Sequence, residues 1–389
     1  MQVTFVVQRY GPDVIGGAEG LCRSTARALA ARGHSVHVIT TTAHEYLHWT
    51  PQDDAGRSVE DGVTISRHHA EHPDPARAAD LTATIATGGG TPEIEREWAL
   101  AQGPISRTLL REIADTTGPV ALWTYLYATS QLAAPLTRGR SILVPTAHNE
   151  AQIRFGLTRG VMNTVSGFAF LTPEERTLVD DYFDLRGRPS EIVGAALPAK
   201  GRDLGEGVGE VPVAGPYVLY VGRMDPGKGV GELAGHHAHY RRQGGTARLV
   251  FAGPGDPPPG LPEWAVHLGR VSDAKRTALL THAIALAMPS RNESYSLVLL
   301  EAWREGCPTV GTGHSAVITG QTARSGGGFV YRTPDEYAAA VRALESDDTL
   351  RRRLGESGRN WAAEQTWDRV ADRWEALVAA VGATTTPSD

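Results

Sequence analysis

Short apolar runs of strand length, each closed by a glycine or proline loop and followed by a helical stretch, recur through this chain in two series. Residues 3–8 form the first run and 11–17 the glycine loop after it. Residues 18–32 then have helical character, with Leu21, Ala28 and Leu29 recurring and Gly33 at the end, and 36–40 form the second run. A β-loop-α-β unit of this kind feeds a doubly wound parallel sheet. Runs at 63–68, 120–125, 141–146, 168–171 and 191–193 extend the series, and 105–115 reads as a helix. A Gly-, Pro- and Ala-rich stretch without periodicity, 194–216, then reads as a connector. At 217–221 the alternation restarts. The expected fold is therefore α/β, with two Rossmann-like doubly wound domains. At 389 residues, two cores are also the expectation from length alone.

The second series holds the most informative stretch, 285–308. A strand-length run, 283–288, stops at Pro289. A polar loop, 290–296, leads into a helix expected at 297–304 and ended by Gly306 and Pro308. Glu293 in the loop and Glu301 in the helix bracket the segment, about two helical turns apart if the helix begins near Glu293. A helix mouth offers free backbone N–H groups and partial positive charge, which suit phosphate. A ligand with hydroxyls at both ends and phosphates between them fits this layout, and a sugar nucleotide is such a ligand.

Other loops add chemistry. After the run at 217–221 comes Gly222-Arg223-Met224-Asp225-Pro226-Gly227-Lys228-Gly229. This is G-x-x-x-x-G-K followed by glycine, so the hydroxyl that ligates magnesium in a P-loop is missing. Arg223 and Lys228 read as two cations aimed at a diphosphate; a solvated turn is the alternative. Lysine is scarce, at positions 200, 228 and 275 only, which makes Lys228 more noticeable. In the first series G-x-G-x-x-G is absent, and Gly16-Gly17 precedes Ala18-Glu19. That pair either lets backbone approach a ligand or makes a tight turn. Tyr125 and Tyr127 fall near a strand's C-terminal end, where open sheets bind ligands, or else are core aromatics. His148 occupies a similar place after 141–146; a structural role is its alternative. Thr172-Pro173-Glu174-Glu175 reads as a helix cap. Residues 70–104, with Pro73, Pro75, Gly88-Gly89-Gly90 and Pro92, read as part helix and part mobile loop, a region suited to acceptor specificity. Helices are expected at 335–345, 350–363 and 367–381, and disorder at 384–389.

Composition narrows the function classes. Net charge is −6, with 41% apolar and 21% charged residues, so no basic footprint favours nucleic acid or anionic lipid. Cys22 and Cys307 cannot make a metal site between them, and a disulfide is not expected across the two halves. The first residues lack signal-peptide character and no run reaches transmembrane length. The expectation is a cytoplasmic protein, with peripheral membrane contact left open.

Gly16-Gly17-Ala18-Glu19, His148, Gly222-Arg223 with Lys228-Gly229, Gly253-Pro254-Gly255, Pro289-Ser290, and E-x7-E with Gly306-Cys307-Pro308 occur in this order. In that combination the chain resembles glycosyltransferase family 4, the retaining enzymes of the GT-B fold, over nearly its whole length. The resemblance implies a first domain at 1–195, a linker at 196–216, a nucleotide-sugar domain at 217–366, and a last helix, about 367–381, crossing back onto the first domain, with the cleft between domains as active site. It implies that Arg223 and Lys228 hold the donor diphosphate, that Glu293 binds hydroxyls of the transferred sugar, and that Glu301 binds the ribose. Backbone N–H groups of Tyr295, Ser296 and Leu297 would meet phosphate, Gly17 would approach the diphosphate, His148 would sit at the donor sugar, and Arg270 and Val271 near the base. The donor would be a UDP- or GDP-linked sugar and the acceptor a glycan, glycolipid or small molecule, with no cofactor and no metal. The usual E-G-x-G is replaced here by Ser294 and Ser296, which leaves donor identity open. No D-x-D triplet occurs, which argues against a metal-dependent GT-A enzyme. The competing readings are a nucleotide-sugar epimerase of the same fold and a non-catalytic sugar-nucleotide-binding protein.

Overall fold

The computed structural model describes residues 1–14, 16–46, 48–71, 73–198 and 213–384. The chain divides into two units, Met1–Ala195 with Trp367–Asp389, and Ala196–Thr366. Most of the expected connector, and the tail beyond Thr384, lie outside the described residues.

In the first unit the strands are β1 (Gln2–Val6), β2 (Ser35–Thr41), β3 (Gly56–Glu60), β4 (Val63–His68), β5 (Val120–Trp123), β6 (Ser141–Val144), β7 (Gly167–Phe170) and β8 (Ser190–Ile192). The helices are α1 (Gly17–Ala31), α2 (Pro75–Thr84), α3 (Pro92–Gln102), α4 (Arg107–Asp115), α5 (Ala128–Ala133), α6 (Gly156–Thr164) and α7 (Pro173–Tyr182). The sheet order is β3-β4-β2-β1-β5-β6-β7-β8. β3 pairs antiparallel with β4, while the other pairings are parallel. Every residue of β5, β6 and β7 is buried, as expected where helices cover both faces of a parallel sheet. The winding direction reverses at β1 and β5, so the crevice beyond their C-terminal ends is the natural ligand position.

The second unit holds β9 (Tyr217–Val221), β10 (Arg248–Ala252), β11 (Ala265–His267), β12 (Ala285–Met288), β13 (Thr309–Thr312) and β14 (Gly328–Tyr331), in the order β11-β10-β9-β12-β13-β14. All pairings are parallel. Its helices are α8 (Val230–Arg242), α9 (Asp273–His282), α10 (Leu297–Arg304), α11 (Ala316–Ser325), α12 (Pro334–Ser346) and α13 (Asp348–Ala363). Here the reversal falls between β9 and β12. A last helix, α14 (Trp367–Thr384), belongs to the first unit. Its Trp374 packs against Phe5 and Trp123, with ring centroids 5.2 and 6.1 Å away. At the rim, Arg32 reaches Asp368, Asp372 and Glu375 of α14 at 3.1, 2.6 and 3.0 Å.

Three sequence expectations are corrected. The antiparallel edge strand β3 was not expected; its polar sequence carries little apolar signal. Residues 70–104 are mainly α2, a π-helical turn at Ile85–Gly89 and α3. Asp74 and Thr91 cap the two helices through the N–H groups of Arg77 and Ile94, and Pro75 and Pro92 are their first-turn residues. Helix α11 was missed because its apolar positions are few. Helix α10 spans Leu297–Arg304 as expected, which leaves Glu293 in the loop and out of helical register with Glu301.

Candidate active site

Two loops meet at the sheet reversal of the second unit. One leaves β9. The Tyr220 hydroxyl donates to the Arg223 carbonyl at 2.8 Å, and the Met224 N–H donates to the Pro254 carbonyl at 2.8 Å. The chain then makes a tight turn over Pro226–Lys228, with the Gly227 N–H bonded to Asp225 Oδ1 at 2.9 Å. Gly229 caps α8 at φ +75°, and a Cβ there would lie 2.9 Å from the Pro289 carbonyl. The backbone and its neighbour both demand glycine, which accounts for the residue that departs from the P-loop pattern.

The other loop leaves β12 and carries Glu293. Lys228 Nζ lies 2.8 Å from Glu293 Oε1 and 3.5 Å from Ser290 Oγ. The Glu293 side chain is 10% exposed and that of Lys228 32%. Residues 62 and 65 positions from Lys228 thus join it in one cluster. Arg223 is exposed on the same β9 loop. A cavity of about 580 Å³ opens beside these loops, with Met224, Gly229, Glu232, Arg291 and Asn292 among its walls.

On α10, Glu301 Oε1 lies 3.2 Å from Arg276 Nη2. Glu301 Oε2 is buried without a hydrogen-bond partner, and burial pushes the carboxyl's pKa up. Ser296 Oγ at the mouth of α10 is likewise buried and unpartnered. Buried polar atoms in that state are costly unless a ligand satisfies them. The Ser296 N–H itself donates to Gln321 Oε1 at 3.3 Å, so this backbone donor, expected to meet phosphate, is already engaged. Tyr295 and Leu297 flank it, both half-buried. Arg270 is exposed, and Val271 packs half-buried against the core beneath β9 and β12.

The other residues singled out in the sequence lie in the first unit. Gly16 is the N-cap of α1 and Gly17 its first residue. A Cβ at Gly16 would collide with the Glu19 carboxylate, whereas one at Gly17 would meet nothing within 4 Å. Packing therefore requires glycine at 16, and at 17 only a close approach from outside would. Glu19 is buried against Arg9 and accepts a bond from Gln8 Nε2 at 2.9 Å.

His148 follows β6, with its side chain 30% exposed and Nδ1 3.8 Å from Glu150 Oε1. Tyr125, expected on the acceptor side, is fully buried and donates its hydroxyl to Glu150 at 2.7 Å. Its ring is part of the core of the first unit. Burial pushes the Glu150 carboxyl's pKa up, against the opposing effect of the Tyr125 bond. Tyr127 is half-buried, edge-on to Trp49 at 5.4 Å.

One group was assigned by sequence to capping alone. Thr172 does cap α7, accepting the Glu175 N–H at 3.1 Å. The Glu175 side chain, however, turns inward: it accepts the N–H groups of Ala147 at 2.7 Å and Leu171 at 2.6 Å. Nothing local in the sequence marks that reach.

No group of three or more His, Cys, Asp or Glu among the described residues is placed to hold a metal ion. No helix among them is long and apolar enough to cross a membrane.

Residues 215–347 match the family described as Glycosyl transferases group 1. The chain is 29% identical to a D-inositol 3-phosphate glycosyltransferase of Jonesia denitrificans, over 40% of this chain and 41% of that protein. The chain thus spans under half of that relative's length. It is 26% identical to a glycogen synthase of Mycobacterium tuberculosis over 95% of this chain and 92% of that one. The sucrose-phosphate synthase of Thermosynechococcus elongatus superposes with a TM-score of 0.70 at 16% identity, over 98% of this chain and 99% of the other.

Proposed function

The chain belongs to the GT-B glycosyltransferases, and on that premise we propose that it moves a hexosyl residue from a UDP- or GDP-linked sugar to an acceptor hydroxyl, with retention at the anomeric carbon and without a metal ion. The observation that carries the reading is the Lys228–Glu293 pair at the sheet reversal, with Glu301 Oε2 and Ser296 Oγ buried and unpartnered on the adjoining helix.

In this reading Lys228 exchanges Glu293 for the donor diphosphate. Arg223 adds a second cation, and together they stabilise charge on the departing nucleotide. Glu293, released from Lys228, accepts hydroxyls of the transferred sugar. Glu301 Oε2 takes a ribose hydroxyl, Ser296 Oγ and the mouth of α10 take a phosphate oxygen, and Arg270 and Val271 border the base. Gly17 approaches the diphosphate and His148 bonds the transferred sugar. The C1–O bond to phosphate breaks and the acceptor oxygen bonds C1 on the same face. The acceptor's proton passes to the leaving phosphate oxygen, so no enzyme carboxylate becomes covalently attached.

The test is release of nucleoside diphosphate from UDP-glucose, GDP-mannose, ADP-glucose and dTDP-glucose, with and without a panel of sugar and polyol acceptors, in buffer and in EDTA. Acceptor-stimulated release, unaffected by EDTA and giving a product of unchanged anomeric configuration by NMR, supports the reading. A changed sugar on an intact diphosphate would instead identify an epimerase. Tight nucleotide binding without turnover would identify a binding protein. A trapped glycosyl-enzyme would overturn the one-step mechanism.

A further inference from the structure

Two helices of this protein start with the same local pattern. Helix α12 opens with Thr333-Pro334-Asp335-Glu336 and α7 with Thr172-Pro173-Glu174-Glu175. In α12 the exposed Glu336 carboxylate turns back on the helix start, accepting the Thr333 N–H at 3.2 Å and the Arg332 N–H at 2.5 Å. This is a capping box, complete at the surface. In α7 one oxygen of Glu175 does the corresponding work, bonding the Leu171 N–H at 2.6 Å. The other leaves the helix and bonds the Ala147 N–H, 28 residues away in sequence, at 2.7 Å.

That difference costs something. Glu175 is 1% exposed, and burial pushes its carboxyl up to about 8 against the bonds from the Leu171, Ala147 and Thr146 backbones, which favour the charged form. Capping alone does not require this, as Glu336 demonstrates. Ala147 lies between Thr146, whose φ of +50° is rare for a threonine, and His148. Strained backbone of this kind persists only where neighbours hold it, and the Glu175 carboxyl, bonded to the Ala147 N–H, is one neighbour that does so here.

We propose that Glu175 is a positioning residue for the reaction: its carboxylate joins the loops that follow β6 and β7 and fixes the Thr146–Ala147 backbone that presents His148. The inference rests on the role given to His148 above. It places a buried group in the first turn of α7, with no contact to substrate, in control of how well the reacting sugar is held.

The experiment compares wild type, Glu175→Gln, His148→Ala and the double variant, using the sugar nucleotide from the panel above that is turned over. The amide of glutamine can accept one N–H but presents a donor to the other. Turnover of Glu175→Gln is expected to fall about 10- to 100-fold, the scale of a displacement near 1 Å at a reacting centre. Its affinity for the matching nucleoside diphosphate, bound by the second unit, should stay within about twofold. In the His148→Ala background the same substitution should cost little more, because groups acting through one another are not additive. Equal loss of turnover in both backgrounds would overturn the proposal, as would loss of nucleotide affinity in step with turnover. Wild-type turnover in His148→Ala would show that the reading of His148 fails and takes the positioning role with it. Hydrogen exchange on the wild type decides the clamp separately, whether or not Glu175→Gln folds. The Ala147 amide should exchange far more slowly than the amide of the exposed Asn149, and equal rates would mean that no clamp exists.

Discussion

Replacing Lys228 by methionine tests the centre of the proposed donor site, because the structure sets both the stability cost and the functional cost. Lys228 Nζ and Glu293 Oε1 are 2.8 Å apart. At an effective dielectric of about 20 their attraction is about 6 kcal/mol before desolvation is subtracted. The net effect is much smaller. Exposed pairs contribute about 0–1 kcal/mol, and breaking a fully buried pair costs about 3–5 kcal/mol. With Glu293 10% exposed and Lys228 32%, Lys228→Met should cost about 2 kcal/mol. The second unit, Ala196–Thr366, has 366 − 196 + 1 = 171 residues, and for that size about 2 kcal/mol lowers Tm by about 4–8 °C. Glu293→Gln leaves a neutral acceptor beside a lysine that reaches water, so its cost should be about 1 kcal/mol or less. The double variant no longer holds an unpaired buried carboxylate and should be more stable than Lys228→Met alone. Ligand separates stability from function. UDP or GDP at about 100 times its Kd adds about 2.7 kcal/mol to a protein that binds it. Glu293→Gln should keep or increase this increment, since Lys228 is released. Lys228→Met and the double variant should lose most of it. Calorimetric melts of the four proteins with and without nucleotide read every quantity. Full nucleotide stabilisation of Lys228→Met would refute the diphosphate role of Lys228, and strictly additive stability losses would refute the coupling of the pair.

Other outcomes follow from particular contacts. Gly229→Ser restores the P-loop pattern on paper, but at φ +75° with Pro289 against the new Cβ it should destabilise by about 1–3 kcal/mol and give no nucleoside triphosphatase activity, as a melt and a phosphate-release assay would show. His237 is buried between the Tyr337 hydroxyl at 2.9 Å and the Ala247 carbonyl at 3.0 Å, and burial lowers its pKa to about 4. A folded pKa depressed below the unfolded value of about 6.5 contributes stability that is present above pH 6.5 and lost as pH falls through about 4. The loss should reach about 3 kcal/mol and be missing from the urea-unfolding pH profile of His237→Gln. Trp374→Ala should cost about 3–5 kcal/mol, read as a lowered melting transition of the first unit with that of the second unchanged.

The strands could be approached from sequence because parallel strands buried on both faces are largely apolar, and β5, β7 and β12 stand out for that reason. The edge strand β3 did not, since Gly56-Arg57-Ser58-Val59-Glu60 is shaped by its pairing with β4 more than by its own composition. The placement of polar residues on loops at strand ends was legible, and Lys228, Glu293 and His148 do follow β9, β12 and β6. Side-chain direction was not legible. Tyr125 and Tyr127 are two residues apart, yet Tyr125 is core and Tyr127 half-buried. Glu175 and Glu336 stand at the same place in matching helix starts and both turn back on the helix start, but only Glu175 is buried and also bonds the distant Ala147 N–H. The difference in each case comes from a partner distant in sequence, which no local pattern records.

The return of α14 to the first unit has a consequence for synthesis on the ribosome. Phe5 and Trp123 emerge long before Trp374, which they pack against. The second unit is one continuous stretch and can close as soon as it clears the exit tunnel. The first must wait, with part of its core open, for the last helix to appear. Completion of the first core therefore depends on the last part of the chain to be made. A released chain truncated before residue 367 should carry a protease-resistant second unit beside a first unit that is still cut, and premature termination near the 3′ end of the message should harm the domain encoded at its start.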